Sequence, residues 1–327
     1  MPQQPFISVK SLSRYYGPIH AVRNISFDVQ RGEVLGFLGP NGAGKSTTMQ
    51  MLAGNLAPTS GQILINGIDL LDQPKRAKAD IGYLPEQPPL YKELTVDEYL
   101  AYSARINRIA RAQQRAAIDA AKQRCGLTEV GRRLIGNLSK GYQQRVGIAQ
   151  AIIHSPAIVI LDEPTVGLDP IQIREIRHLI RELGSSHGVI LSTHILPEVQ
   201  ATCDRVQIIY NGELVLSETL AHLNQDMQTT SLVVGFTQPP AVAELEALPQ
   251  VQSVEVLDGQ RFRLHLTAAE NPAPAIAQQA VAKDWGLLEL TPQRRTLEEI
   301  FVQITSGEHG AVHQSDTHQG DTEEHAA

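Results

Sequence analysis

GPNGAGKST, residues 39–47, is the stretch on which the reading of the whole chain turns. It fits the pattern G-x-x-x-x-G-K-[ST]: Gly39, Gly44, Lys45 and Ser46 hold the fixed places, Pro40, Asn41, Gly42 and Ala43 lie between them, and Thr47 follows. VLGFL, residues 34–38, is an apolar run of strand length, and STTMQMLAG, residues 46–54, reads as a helix closed by Gly54. A glycine loop between a strand and a helix turns successive backbone N–H groups inward, and the helix adds its positive end, so the loop suits a polyphosphate. Lys45 reaches the outer phosphates as a point charge, and the Ser46 hydroxyl is left for Mg²⁺. A Gly-rich turn that only caps a helix is the competing reading, and the strand and helix flanks weigh against it.

Composition narrows the rest. The 327 residues, 42% hydrophobic and 19% charged, suffice for one large domain and a smaller one. A formal net charge of −7 argues against nucleic acid as a partner, because neutralising phosphates calls for a basic face. Cys125 and Cys203 have neither metal-ligand nor disulfide-framework spacing, which points to a reducing compartment. The start, MPQQPFISVK, has no apolar signal-peptide core, and no window approaches the roughly eighteen apolar residues of a membrane span. Work at a membrane is therefore expected to go through a partner.

Residues 6–12 and 24–29 alternate apolar with polar, as half-buried antiparallel strands do, and GQILINGI (61–68) continues that part through an Asn66-Gly67 turn. Between the first two runs lies Tyr16, before Gly17: it could stack on an adenine ring or pack on the sheet. IGYLPEQPPLY (81–91) begins as a strand and breaks at Pro85, which leaves Glu86 and Gln87 on a loop. Thr95 to Glu98 spell a capping box, and residues 99–124, without Gly or Pro, read as a helical insertion. Its arginines (105, 108, 111, 115 and 124) read most simply as a solvated face.

NLSKGYQQR (137–145) opens a second helix with anion-binding character, capped by Ser139. AIVIL (157–161) is an unbroken apolar run, as in a parallel strand covered on both faces, and it ends in Asp162-Glu163-Pro164. Carboxylates at the carboxyl end of such a strand lie where open α/β sheets place ligands. Asp162 could hold Mg²⁺ through its shell, and Glu163 could take a proton from water attacking the γ-phosphate. GLDP (167–170) turns into a helix over 171–183, and VILST (189–193) is another buried strand, closed by His194, which reads as a γ-phosphate sensor.

In that order, GPNGAGKST, LSKGYQQR, IVILDEP, GLDP and His194 resemble the nucleotide-binding subunit of ATP-binding cassette transporters, over roughly residues 5–220. IGYLPEQPPLY and the LSKGY signature look like the export-type branch, and most like the gliding-motility-associated transporter's ATP-binding subunit. The resemblance implies an α/β fold: a P-loop cassette with a mostly parallel core sheet, an antiparallel β subdomain and a helical insertion over about residues 95–145. It implies ATP and Mg²⁺, with Tyr16 on the adenine, residues 39–47 on the triphosphate, Ser46 and Asp162 on the metal, Glu163 as general base and His194 at the γ-phosphate. Two subunits would pack head to tail, Ser139 and Gly141 meeting the ATP of the opposing copy and Asp169 lying at the junction. They would serve a membrane-embedded permease at the cytoplasmic face.

Two departures stand out. Lys140 and Tyr142 replace a glycine and the glutamine of the usual L-S-G-G-Q signature, and the glutamine that usually ligates the metal falls at Glu86, with Gln87 one place late; either is a candidate. Residues 221–306 read as a smaller α+β domain of βαββαβ order, ferredoxin-like, closed by a helix in TLEEIFVQIT (296–305). Residues 307–327 read as a disordered polar tail whose four histidines have no ligand spacing. The rival reading is a soluble cassette ATPase acting as a switch. A GTPase is disfavoured because no N-K-x-D run occurs.

Overall fold

β1 (Ile7–Tyr16) and β2 (Ile19–Val29) form an antiparallel hairpin longer at its turn end than the alternation predicts. Pairing shifts register between Val9 and Leu12 and again before Arg14, with Ser11 and Asn24 at positive φ, so the side-chain period breaks while the ladder continues. The computed structural model describes residues 5–226, 229–248, 250–266 and 272–294, together with Glu299 and Phe301. β3 (Val34–Leu38), buried throughout, runs through the glycine loop into α1 (Lys45–Leu52). β4 (Ser60–Ile65) and β5 (Ile68–Asp69) join at Asn66-Gly67, both at positive φ, as a two-residue hairpin turn requires. A sheet in the order β2-β1-β4-β5 results.

After a short α2 (Pro74–Ala77) come β6 (Ile81–Leu84) and the proline loop. α3 (Val96–Ile106) opens on the expected capping box: the Thr95 hydroxyl accepts from the Glu98 N–H, and the Glu98 carboxylate accepts from the Thr95 N–H at 2.8 Å. The insertion then breaks before α4 (Arg111–Arg124), where Arg108 turns to a φ of 57° without glycine or proline. Nor are its arginines all solvated: Arg124 donates to the Ser186 hydroxyl at 3.0 Å and lies 3.2 Å from buried His187. α5 (Lys140–Ile152) follows, capped by Ser139.

β7 (Ile158–Asp162), α6 (Pro170–Gly184), β8 (Gly188–Thr193), α7 (Leu196–Thr202), β9 (Arg205–Tyr210) and β10 (Glu213–Thr219) complete a second sheet, ordered β10-β9-β3-β8-β7-β6. All its neighbours are parallel except β10 on β9. Every residue of β3, β7 and β8 is buried, because one apolar layer lies between this sheet and the first (Phe27, Phe37, Met49, Ile160) and another under the helices (Leu100, Ile148, Ile176, Leu183). The carboxyl ends of β3, β6, β7 and β8 thereby meet at one edge.

α8 (Leu220–Asp226) leads to β11 (Thr229–Phe236), α9 (Val242–Glu246), β12 (Val251–Asp258), β13 (Arg261–Leu266), α10 (Ala273–Ala282) and β14 (Leu287–Arg294). The βαββαβ order folds into an antiparallel sheet, β12-β13-β11-β14, with the first and third strands central as in ferredoxin-like folds. Phe236, Phe262, Ile276 and Trp285 fill its own core, the Trp285 ring standing edge-on to Phe236 at 5.5 Å. The closing helix read in 296–305 and the tail of 307–327 lie outside the described residues, Glu299 and Phe301 apart.

One contact tests the packing of β6 on α5. A Cβ on Gly82 would stand 2.3 Å from the Ala151 carbonyl oxygen, with no flexible side chain to yield. Gly82→Ala should therefore cost about 1–3 kcal/mol of unfolding free energy. Urea titration reads it, and an unchanged midpoint would show that helix and strand are not in that contact.

Candidate nucleotide site

Close backbone approach dictates the glycines of residues 39–47. A Cβ on Gly39 would come within 2.4 Å of the Ile209 carbonyl oxygen, and one on Gly44, at φ 108°, within 2.4 Å of that of Ala21. Lys45 begins α1, and its Nζ donates to the carbonyl of Gly39 at 2.9 Å and to that of Pro40 at 3.3 Å. The Thr48 hydroxyl donates back to the Gly44 carbonyl at 2.9 Å, fixing the first helical turn. Above the loop opens a cavity of ≈ 340 Å³, lined by Ala21, Asn41, Gly42, Gly44, Lys45, Ser46, Thr47, Glu86, Glu163, Val166 and His194.

β8 lies between β3 and β7, so the residues following β7 and β8 come together beside Lys45. Glu163, just past β7, sits at φ 50°, a conformation that costs a non-glycine residue roughly 1–3 kcal/mol and persists where the surroundings over-determine it. Its backbone N–H donates to the Ser192 carbonyl at 2.9 Å. Its carboxylate lies 3.5 Å from Lys45 Nζ, and its two oxygens are 2.9 and 3.0 Å from His194 Nδ1. The Glu163–His194 contact was not legible in the sequence, because nothing along the chain states that β7 and β8 are neighbours.

Asp162 closes β7 and is 2% exposed, and its Oδ1 has no hydrogen-bond partner among the described residues. Burial pushes its carboxyl above the ordinary carboxylate range, the Ser192 and Ser46 hydroxyls pull the other way, and the charges of Glu163 and Glu86 add to the rise. Tyr83, beside it on β6, is pushed up to about 12 by burial and then by the Asp162 charge. A buried carboxylate with one oxygen unpartnered among the described residues, and the Ser46 hydroxyl acting on the same carboxyl group, is the hard-oxygen environment that Mg²⁺ takes. No group of three His, Cys, Asp or Glu among the described residues forms a cage by itself. Mg²⁺ does not need one, since it keeps water and takes phosphate oxygens, so these residues fit it.

The remaining sequence candidates separate. Glu86 lines the cavity and Gln87 does not. Tyr16 ends β1, half-exposed, with the Arg14 guanidinium 4.7 Å from its ring centroid, and it is not part of the lining. Ser139, Gly141 and Asp169 also lie outside it. Ser139 is exposed and accepts the Tyr142 N–H at 3.4 Å, Gly141 packs against the Gln172 side chain, and Asp169 caps α6 by accepting from the N–H groups of Ile171 and Gln172. The sequence reading missed Thr165, Thr193 and Glu198, buried behind the Glu163–His194 pair. No pattern signals them, because a threonine after Pro164 and a glutamate in a short helix are unremarkable as residue types.

Comparison with known proteins bears on this geometry. The family described as "ABC transporter" matches residues 22–166, and "ATP-binding protein DrrA1-3-like, C-terminal domain" matches residues 219–305. An uncharacterised ABC transporter ATP-binding protein of Bacillus subtilis (strain 168), YxlF, is 33% identical over 91% of the chain and 99% of its own length. The bacitracin transport ATP-binding protein BcrA of Bacillus licheniformis is 34% identical over 92% of the chain and 97% of its own length. Among solved structures, a dimeric bacterial ABC transporter cassette superposes with a TM-score of 0.60 at 26% identity, over 65% of this chain and 98% of that one.

Asp162 also yields a stability prediction. Its folded carboxyl holds a proton more tightly than the unfolded one, so above the unfolded value of about 3.8 its contribution is unfavourable, growing until the pH passes the raised folded value. Asp162→Asn should stabilise the nucleotide-free chain at pH 7, by on the order of 1 kcal/mol, and the gain should shrink as the pH falls toward 4. Urea unfolding at both pH values tests this; a destabilised variant at pH 7 would contradict it.

Proposed function

This chain belongs to the family of ABC transporter ATP-binding subunits, and from that premise we propose that it hydrolyses Mg-ATP in the Lys45 cavity and drives a separate membrane-embedded permease from the cytoplasmic face. The observation that carries the reading is the setting of Glu163, which faces the cavity between Lys45 and His194. The N–H groups of residues 39–47 and the Lys45 ammonium hold the phosphates, with Tyr16 at the adenine. Ser46 and Asp162, with Glu86 rather than Gln87, would hold Mg²⁺, which when bound neutralises charge across the β- and γ-phosphate oxygens. Glu163 accepts a proton as the water oxygen bonds the γ-phosphorus. The bond to the β,γ-bridging oxygen breaks, and ADP leaves with that electron pair. His194 orients the carboxylate and faces the γ-phosphate.

Head-to-tail dimerisation completes the site. Ser139 and Gly141 begin a helix outside their own cavity, which suits them to the triphosphate held by a second copy, and Asp169 to the junction. The related cassette is dimeric, which supports the pairing of two copies. Residues 1–220 form the ATP-binding domain in this reading and 221–306 an accessory one. The bacitracin-transport relative favours export of an antibiotic-like cargo. The finer kinship to the gliding-motility-associated subunit rests on IGYLPEQPPLY and LSKGY alone.

Lys45→Ala should abolish the heat of Mg-ATP binding in calorimetry. Glu163→Gln should keep that heat, lose about 10²–10⁴-fold in turnover and sediment as a dimer in Mg-ATP. Undiminished turnover in the second variant removes Glu163 from the chemistry, and full binding by the first removes the cavity.

A further inference from the structure

Behind the reacting groups lies a buried carboxylate that the mechanism above does not use. Glu198, in α7, is 1% exposed, and the described ion pairs do not include it. It accepts from the hydroxyls of Thr165 and Thr193, the latter at 2.9 Å. Both threonines are buried, at 2% and 0% exposure. Thr165 lies two residues beyond Glu163, and Thr193 immediately precedes His194. The Thr193 hydroxyl also accepts the Ile195 N–H at 3.1 Å, which holds it on both sides.

A buried carboxylate without a cation is costly where apolar packing would serve, so what its oxygens hold is the informative part. Here one oxygen holds the loop after β7, through Thr165, and the other holds the end of β8, through Thr193. We propose that Glu198 is a positioning residue for hydrolysis, fastening the loop that carries Glu163 to the loop that carries His194. The inference rests on the roles given to those two residues above. The left-handed backbone of Glu163 requires support, and Glu198 adds to two ties that Glu163 makes itself: the N–H donated to the Ser192 carbonyl in β8 and the carboxylate contact with His194 Nδ1. Thr165 passes the restraint onward: its carbonyl accepts the Leu168 N–H, fixing the turn that leads to Asp169. Glu198 thus acts through Thr165 and Thr193 and touches no nucleotide.

The test measures steady-state turnover and Mg-ATP binding stoichiometry on the full chain, for wild type, Glu198→Ala, Glu198→Gln and Thr165→Val/Thr193→Val. Misplacing a reacting group by an ångström lowers a rate about a hundredfold. Glu198→Ala should therefore lose about tenfold to a hundredfold in kcat, with KM and the number of sites within about twofold of wild type. Glu198→Gln, which keeps the shape and one acceptor, should recover most of that loss. The threonine pair should match Glu198→Ala, and adding Glu198→Ala to it should change kcat less than about twofold, the signature of one shared linkage. Full turnover in Glu198→Ala, a loss that tracks missing binding sites, or additive effects would overturn the proposal. If Glu198→Ala does not fold, the glutamine and threonine variants decide. A wild type that binds Mg-ATP without turnover would instead overturn the hydrolytic reading on which the proposal stands.

Discussion

Lys45 and Glu163 face each other at 3.5 Å, each more than nine-tenths buried, and the site is built around that opposition of charge. An ammonium withdrawn from water must be compensated, and here two carbonyl dipoles of its own loop and one carboxylate do so. A polyphosphate entering the cavity offers the lysine more negative charge than those dipoles. Glu163 would then be left free for the base role proposed for it, with His194 Nδ1 against its carboxylate.

The parallel sheet makes that convergence possible. With β8 between β3 and β7, the glycine loop, the acidic pair and His194 emerge at one edge although well over a hundred residues separate Lys45 from Glu163 and His194. The same edge carries the stability cost of function. Asp162 has a buried oxygen without a hydrogen-bond partner among the described residues, and Glu163 has a left-handed backbone, and both are unfavourable for folding. The apolar layers on the two faces of the sheet hold these groups in place.

Legibility in the sequence followed from how local each signal is. The loop at 39–47, the capping box at Thr95, the Asn66-Gly67 turn and the buried runs before Asp162 and His194 depend on near neighbours in the chain, and their residue types state them. The βαββαβ order was readable for the same reason. Bulged pairing hid the full length of β1 and β2, and the break at Arg108 carries no glycine or proline to announce it. Contacts that depend on strand order were invisible: Glu163 with His194, Arg124 with His187, Glu198 with its two threonines. For the metal contact the alignment to IGYLP favoured Glu86 and kept Gln87 open, and Glu86 is the one of the two that lines the cavity.

The central claim, that one copy's phosphate loop is sealed by the facing copy's Ser139, is open to a direct measurement. Cys125 and Cys203 are buried, and burial pushes the first up to about 12 and the second higher still, so neither competes for a thiol reagent. A chain carrying Asn41→Cys is mixed with one carrying Ser139→Cys and treated with a short bifunctional maleimide. The account predicts a covalent heterodimer that forms with Mg-ATP and disappears without nucleotide. Equal cross-linking in both conditions, or none in either while nucleotide is bound, would contradict it.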